Sequence, residues 1–361
     1  MKITILQDFL RSGGTERQSI LLANAFAAAG HATSLVTFRP GGALAPTISP
    51  GVTLRVLQPF DLGLDWFAPG LVGTIRRLAP EVVLCMGRMA NCYAGRLQEK
   101  FPAINVFATM RTGKPLPRPF RRSLAVVRHI VANSKDARDT LVKDHGVSLQ
   151  KITVIYNSLV FPAAPEAAAE SRSALREQFG ATPATTVLLC VAMFRPEKNQ
   201  RELVEIVAAL PAGLDWQLWL AGDGPARSTC ERLVAEKKLG ERVKFPGFHR
   251  DPSPFYRAAD LAVHASWSEA LSNFLIEAQA HGLPAIAYEA QGIHECFIPG
   301  RTGWPIARDD RVAFRAALTR RMTEPPHSRV AAAASARAFA RETFDPTLQV
   351  TAYLKLFDRL K

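Results

Sequence analysis

The chain has 361 residues, 48% of them hydrophobic and 21% charged, which at ~100–200 residues per domain favours two domains and excludes wholesale disorder. Lys and Arg number 45 against 32 Asp and Glu, a net +13. Residues 1–160 hold 20 of the cations and only 9 of the carboxylates, so the excess sits in the first half and points to an anionic partner there: nucleic acid, membrane surface or acidic substrate.

Taken in chain order, the first half alternates short apolar strands with helices. Ile3–Leu6 reads as a buried strand, too short and too polar afterwards for a signal peptide. A glycine turn at Ser12-Gly13-Gly14 follows, then a helix from about Glu16 to Ala29 that Gly30 stops. Ala32–Thr37, Val52–Leu57, Val82–Cys85, Ile104–Thr109, His129–Asn133 and Thr153–Tyr156 are the next strands, apolar enough to be covered on both faces. Residues 157–183, with Pro162, Pro165 and Pro183, interrupt this rhythm and carry the domain junction. It restarts with Thr186–Ala192, Trp216–Ala221, Val243–Phe245, Leu261–Ala265 and Ala285–Tyr288, and Thr347–Leu360 is a last helix. The expected fold class is α/β, two facing Rossmann-like doubly wound domains with a cleft between them. The expected boundaries are 1–165, 166–343, and a C-terminal helix, 344–361, packing back on the first domain.

No apolar run approaches the ~20 residues of a membrane-spanning helix. The five cysteines are scattered with no C-x-x-C pair, so a zinc site is not expected and the thiols read as core residues of a reduced, cytoplasmic protein.

The sharpest chemical signal is Ser268–Ala278. Glu269 lies on a loop after a strand, and Glu277 eight residues on lies inside a helix for which Ser272 or Asn273 is a good N-cap. Exposed N–H groups at that helix start suit a phosphate, and Glu277 suits vicinal hydroxyls such as those of a ribose. Alone, two glutamates at this spacing are a weak signal and read better as solvated helix charges.

They do not stand alone. Gly13-Gly14-Thr15-Glu16, Ile130–Ser134, Val154–Asn157, Arg195–Asn199, Ala221–Pro225, Phe245–Phe248, Ser268–Ala278, His281–Pro284 and Gly300–Gly303 occur in one order along most of the chain. In this the sequence resembles the retaining GT-B glycosyltransferases of family 4. The resemblance implies that Glu277 binds the donor ribose and that Glu269 lies near the donor sugar. Leu271, Ser272 and Asn273 would lend backbone N–H groups to the diphosphate, and Lys198 would neutralise it as the leaving group gains charge. The base would lie near Phe248, and Gly13 and Gly14 would approach the phosphates and acceptor without a side chain in the way.

Two departures from the family pattern stand out. Where the family commonly has Gly-Arg, this chain has Ala192-Met193, which moves the phosphate role to Arg195 or leaves Arg195 a surface charge. A first-domain histidine near the transferred sugar is replaced by Cys85–Cys92, where Arg88 and Asn91 either line the pocket or cap the next helix. No D-x-D triplet occurs, which with Lys198 favours metal-free stabilisation of the leaving group and no cofactor. Retention in such enzymes is attributed to front-face attack, with no enzymic nucleophile; Glu269 is not expected to act as general base.

Arg111, Lys114, Arg118, Arg121 and Arg122 place five cations within twelve residues, interleaved with Leu116, Phe120 and Leu124. This is either an acceptor-side surface for anionic lipid or charged glycan, or the solvated face of an ordinary amphipathic helix. Nucleic acid is disfavoured because no recognition motif accompanies the charge. His31, His264 and His281 show no ligand spacing and read as structural.

The expected activity is therefore transfer of a sugar from a nucleotide sugar to a glycan or lipid-linked acceptor. The setting is lipopolysaccharide or other envelope polysaccharide assembly, in the cytoplasm or on the inner face of its membrane. Alternatives are a nucleotide-sugar 2-epimerase and a non-enzymatic glycan- or lipid-binding protein on the same fold.

Overall fold

The computed structural model describes residues 1–161 and 168–360. The chain divides into two compact units, the first Met1–Ser158 with Pro346–Lys361, the second Leu159–Asp345. The junction thus falls at Ser158, seven residues before the expected 165; Pro162 and Pro165 lie outside the described residues.

The first unit holds seven parallel strands: β1 (Lys2–Gln7), β2 (Ala32–Thr37), β3 (Val52–Val56), β4 (Val82–Cys85), β5 (Asn105–Met110), β6 (His129–Ala132) and β7 (Ile152–Val154). Their order is β3-β2-β1-β4-β5-β6-β7. The strands read as continuous apolar runs because both faces are covered. Ile3, Ile5, Val82 and Leu84 point to one core, while Leu6, Val83 and Cys85 point to the other. The first core is closed by α1 (Gly14–Ala28) and by the returning C-terminal helix, α13 (Pro346–Arg359). On α13, Phe357 packs 5.0 Å from Phe107 and 5.9 Å from Phe26.

A buried polar knot fixes where this unit ends. Gln18 on α1 donates to Ser158 O (2.8 Å) and accepts from Ser158 N–H (3.1 Å). Gln349 on α13 accepts from Ser158 Oγ (2.7 Å) and donates to Tyr156 O (2.8 Å). Each group would be costly to bury unpaired, so the three segments hold together as one.

The second unit holds β8 (Thr186–Val191), β9 (Trp216–Ala221), β10 (Val243–Gly247), β11 (Leu261–His264), β12 (Ala285–Tyr288) and β13 (Gly303–Ile306), in the parallel order β10-β9-β8-β11-β12-β13. β13 was not expected. Gly303 and Pro305 interrupt its apolar run, and it is an edge strand, where proline is tolerated. In both sheets the order reverses beside the first strand of the unit, between β1 and β4 and between β8 and β11. Open parallel sheets bind ligands outside the carboxyl ends of strands at such points.

Candidate active site

Lys198 and Glu269 meet at the reversal in the second sheet. Lys198 ends a short 3-10 turn, Pro196–Lys198, in the segment after β8. Glu269 follows β11. Two hydrogen bonds join the segments: Glu197 O accepts from Ser266 Oγ (2.9 Å) and from Trp267 N–H (3.1 Å). Asn199 then takes a left-handed conformation, φ 53°, and starts α7 (Gln200–Ala208).

So held, Lys198 Nζ donates to Glu269 Oε1 at 2.5 Å. His264, the last residue of β11, contacts the same oxygen through Nε2 at 2.8 Å. Glu269 is 7% exposed and His264 1%. Burial alone would push the Glu269 carboxyl up, but the Lys198 charge and the His264 hydrogen bond outweigh it and hold the carboxyl at about 2. A carboxylate accepts only, so His264 donates from Nε2. Glu269 accordingly stays ionised at neutral pH, and so low a proton affinity makes it a weak base there. Its chemical contribution is to fix a cation at the carboxyl end of the sheet.

Immediately after Glu269 the chain enters α10 (Asn273–Ala280), capped as expected by Ser272, whose Oγ accepts from Leu275 N–H at 3.4 Å. Leu271 and Ser272 are buried at this turn. The loop after β12 crosses close above it: a Cβ on Gly292, at φ +73°, would fall 1.9 Å from Ala270 O. Only glycine permits that approach. Four residues into α10, Glu277 Oε2 accepts from the Tyr256 hydroxyl at 2.6 Å. Tyr256, on α9 (Ser253–Ala258), is stacked between Phe274 and His281.

Arg195 precedes the Lys198 turn, partly exposed, and forms no ion pair among the described residues, so its charge is available to an anion. Phe248, 38% exposed, follows β10. Gly222 reaches the same region at φ +141°, where a Cβ would meet Ala192 O at 2.1 Å.

In the first unit, Gly13 is the N-cap of α1 and Gly14 its first residue. At the reversal between β1 and β4 the structure shows a group the sequence did not single out. Asp8 accepts from Met89 N–H (2.9 Å) and Ala90 N–H (2.6 Å), capping α3 (Ala90–Lys100). Burial pushes its carboxyl up to about 7 against the pull of those two donors. The signal was present as a polar residue directly after an apolar strand.

The basic stretch divides. Arg118, Arg121 and Arg122 are exposed on α4 (Arg118–Val126), whose Phe120 and Leu124 are buried. Arg88 donates to Pro115 O at 2.6 Å, and Lys114 lies on the intervening loop. Two residues assigned to this surface do not belong to it. Asn91 is 1% exposed, donating to Gly87 O and accepting from Thr109 N–H, both at 2.8 Å. Arg111 turns inward to Asn157 and to the Tyr353 hydroxyl of α13. Polar side chains placed this way serve buried groups. His264, read from sequence as structural, belongs instead to the charged centre.

Comparison with known proteins bears on this geometry. The family model described as Glycosyltransferase Family 4 matches residues 12–159, and that described as Glycosyl transferases group 1 matches residues 185–324. The chain belongs to the GT-B glycosyltransferases of family 4. A curated relative, the lipopolysaccharide core biosynthesis glycosyltransferase LpsE of Rhizobium meliloti, is 29% identical over 325 residues, 88% of each chain. The lipopolysaccharide core mannosyltransferase LpsB of the same organism is 32% identical over 174 residues, 46% of this chain and 49% of that one. Among solved structures, Anabaena Alr3699/HepE in complex with UDP-glucose superposes with a TM-score of 0.83 at 21% identity, over 99% of this chain and 100% of that one. WaaG, a glycosyltransferase involved in lipopolysaccharide biosynthesis, gives 0.74 at 19% identity over 98% of both. In this glycosyltransferase Glu269, with Lys198 seated on it, and Glu277 flank the start of α10.

Proposed function

We propose that the enzyme transfers a hexose from a nucleoside diphosphate sugar to a glycan or lipid-linked acceptor in lipopolysaccharide or related envelope polysaccharide assembly, with retention and without a metal ion or other cofactor. The observation that carries this reading is Lys198 held on Glu269 beside the start of α10. A fixed cation next to a helix N-terminus suits a diphosphate whose charge grows as the glycosidic bond breaks. UDP and UDP-glucose bound to structural neighbours, and lipopolysaccharide core synthesis by the relatives, support the donor class and the setting.

In this reading Lys198 and Arg195 take the diphosphate, Leu271, Ser272 and Asn273 offer it backbone N–H groups, and Glu277 accepts from ribose hydroxyls. Phe248 lies by the base, and Gly13 and Gly14 meet the phosphates and acceptor. The acceptor hydroxyl attacks the anomeric carbon on the face the diphosphate leaves, and its proton passes to a departing diphosphate oxygen. Because Glu269 holds a proton weakly and its Oε1 is engaged by Lys198 and His264, this reading does not route the proton through it. The exposed basic face of α4, Arg118, Arg121 and Arg122, suits an anionic acceptor or the inner membrane surface, with Arg88 and Lys114 beside it; no helix among the described residues is long and apolar enough to cross a membrane.

A donor screen tests the assignment: nucleoside diphosphates and nucleotide sugars are compared by thermal shift, then the stabilising donor is assayed for transfer in EDTA. The matching donor raises Tm, and its turnover yields an α-linked product from an α-linked donor. Turnover that EDTA abolishes, or inversion at the anomeric carbon, overturns the metal-free retaining mechanism. Sugar epimerisation without acceptor would instead identify an epimerase.

A further inference from the structure

Of the fifteen large hydrophobic side chains exposed among the described residues, six fall within residues 54–67 of the first unit: Leu54, Val56, Phe60, Leu62, Trp66 and Phe67. Phe60 is 64% exposed and Trp66 58%. Leu54 and Val56 lie on β3, an edge strand of its sheet, and the other four on the loop that follows it. Apolar residues exposed singly are ordinary, but a group of them marks an interaction surface.

The loop is built to hold these side chains outward. Gln58, buried beneath it, donates to Leu64 O at 2.8 Å and to Phe67 O at 2.7 Å. Tyr93 of α3 donates from its hydroxyl to Trp66 O at 2.5 Å. Both carboxylates of the loop are neutralised from neighbouring segments: Arg39 donates to Asp61 and to Asp65, each at 2.7 Å, and Arg11 to Asp65 at 2.6 Å. Those two guanidinium groups in turn lie over the Phe9 ring, 4.1 and 5.1 Å from its centre. The polar groups of the loop are thus spent on its own scaffold, while its apolar side chains face solvent.

Exposed cations accompany this surface. Arg55 stands on β3 between Leu54 and Val56, Arg96 on α3, and Arg118, Arg121 and Arg122 on α4. The helix α3 links loop and basic helix: Tyr93 reaches the loop, and Ser123 of α4 donates to Cys92 O (3.3 Å) and accepts from Gly95 N–H (3.0 Å). Aliphatic and aromatic side chains beside arginines match the boundary of a bilayer, where acyl chains meet anionic headgroups. A protein partner covering the apolar side chains alone would have no need of the cations.

We propose that the loop after β3 is an interfacial anchor: Phe60, Leu62, Trp66 and Phe67 enter the headgroup and acyl boundary of an anionic phospholipid bilayer, and the arginines of α3 and α4 face its headgroups. The proposal rests on the membrane reading of α4 given above only for the choice of an anionic lipid. Like Gly13 and Gly14 after β1, the loop follows the carboxyl end of its strand, and β1 and β3 are two strands apart, about 10 Å. The anchor therefore sets the acceptor edge of the first unit against the lipid.

Cosedimentation of the full chain with vesicles of phosphatidylcholine containing about one-third phosphatidylglycerol tests the proposal. The chain binds these vesicles, and Phe60→Ser with Trp66→Ser lowers partitioning about tenfold or more while the thermal midpoint stays that of the wild type, because both side chains are exposed. Phosphatidylcholine with brominated acyl chains, added to the same vesicles, quenches tryptophan fluorescence, and Trp66→Phe removes that quenching while binding persists. No binding of the wild type overturns the proposal, as does a double variant that binds like the wild type. Self-association that the double variant abolishes, without vesicle binding, also overturns it and gives the surface to a second copy of the chain. Arg118→Gln, Arg121→Gln and Arg122→Gln combined separate the two membrane readings. Binding lost in the loop variant but unchanged in this one upholds the anchor and removes α4 from the membrane; the reverse pattern overturns the anchor and leaves α4.

Discussion

Lys198 Nζ lies 2.5 Å from Glu269 Oε1 although 71 residues separate them. The pairing makes the lysine a fixed element of the site instead of a mobile surface charge, and it makes Glu269 dependent on the lysine.

Lys198→Ala should therefore cost both activity and stability. Removing a preorganised donor to a developing charge lowers turnover about 10²–10³-fold. Leaving the buried Glu269 without its cation lowers unfolding free energy by about 3 kcal/mol. Steady-state transfer rates and urea unfolding read the two effects. Loss of stability with full turnover would show that Lys198 is a structural ion-pair partner only.

Glu277→Gln should raise the KM for donor about tenfold or more, since one carboxylate oxygen is lost to ribose hydroxyls. Tyr256→Phe removes only the hydroxyl that donates to Glu277 and should raise the same KM a few-fold with kcat nearly unchanged. Donor saturation curves on both variants check the order of the effects; equal KM values across wild type and both variants would remove Glu277 from donor binding.

The acid side of the stability profile should carry the signature of Glu269. Its folded-state carboxyl sits at about 2 against an ordinary 4.5. The pairing thus contributes stability that is fully present above 4.5 and is lost as pH falls toward 2. The displacement corresponds to about 3 kcal/mol. Glu269→Gln should be less stable at pH 7 and should lose less stability over that window. Chemical denaturation at pH 7 and at about pH 2.5 measures this, and parallel profiles for the two proteins would contradict it.

Phe357→Ala should destabilise the first unit by about 3–5 kcal/mol, as expected for a buried aromatic in contact with Phe26 and Phe107. Denaturation followed by tryptophan fluorescence resolves it, because Trp66 belongs to the first unit and Trp216, Trp219, Trp267 and Trp304 to the second. The Trp66 transition should shift, and an unmoved one would show that α13 is dispensable.

Much of this architecture was legible in the sequence because parallel strands covered on both faces leave uninterrupted apolar runs. Ala32–Thr37, Val82–Cys85, Trp216–Ala221 and Ala285–Tyr288 fall where the pattern puts them. β13 did not show, since Gly303 and Pro305 interrupt its run and an edge position excuses them. Ser272 was recognisable as a cap from its chemistry alone. His264 was not recognisable, because its role depends on Glu269 turning back five residues later to meet it. Arg111 and Asn91 misled because composition records charge and polarity but not direction; Asn91 is buried and Arg111 reaches inward to the buried Asn157 and Tyr353.

The return of α13 to the first unit has a consequence for how the protein is made. Tyr353, Leu356 and Phe357 complete a core whose other members, Ile3 to Ile155, belong to the first 155 residues of the chain. The second unit is contiguous in sequence and leaves the ribosome whole, while the first must wait with an open apolar face until the final turns of helix emerge. The unit encoded first is thus finished last, and during synthesis it is the one in need of protection from aggregation.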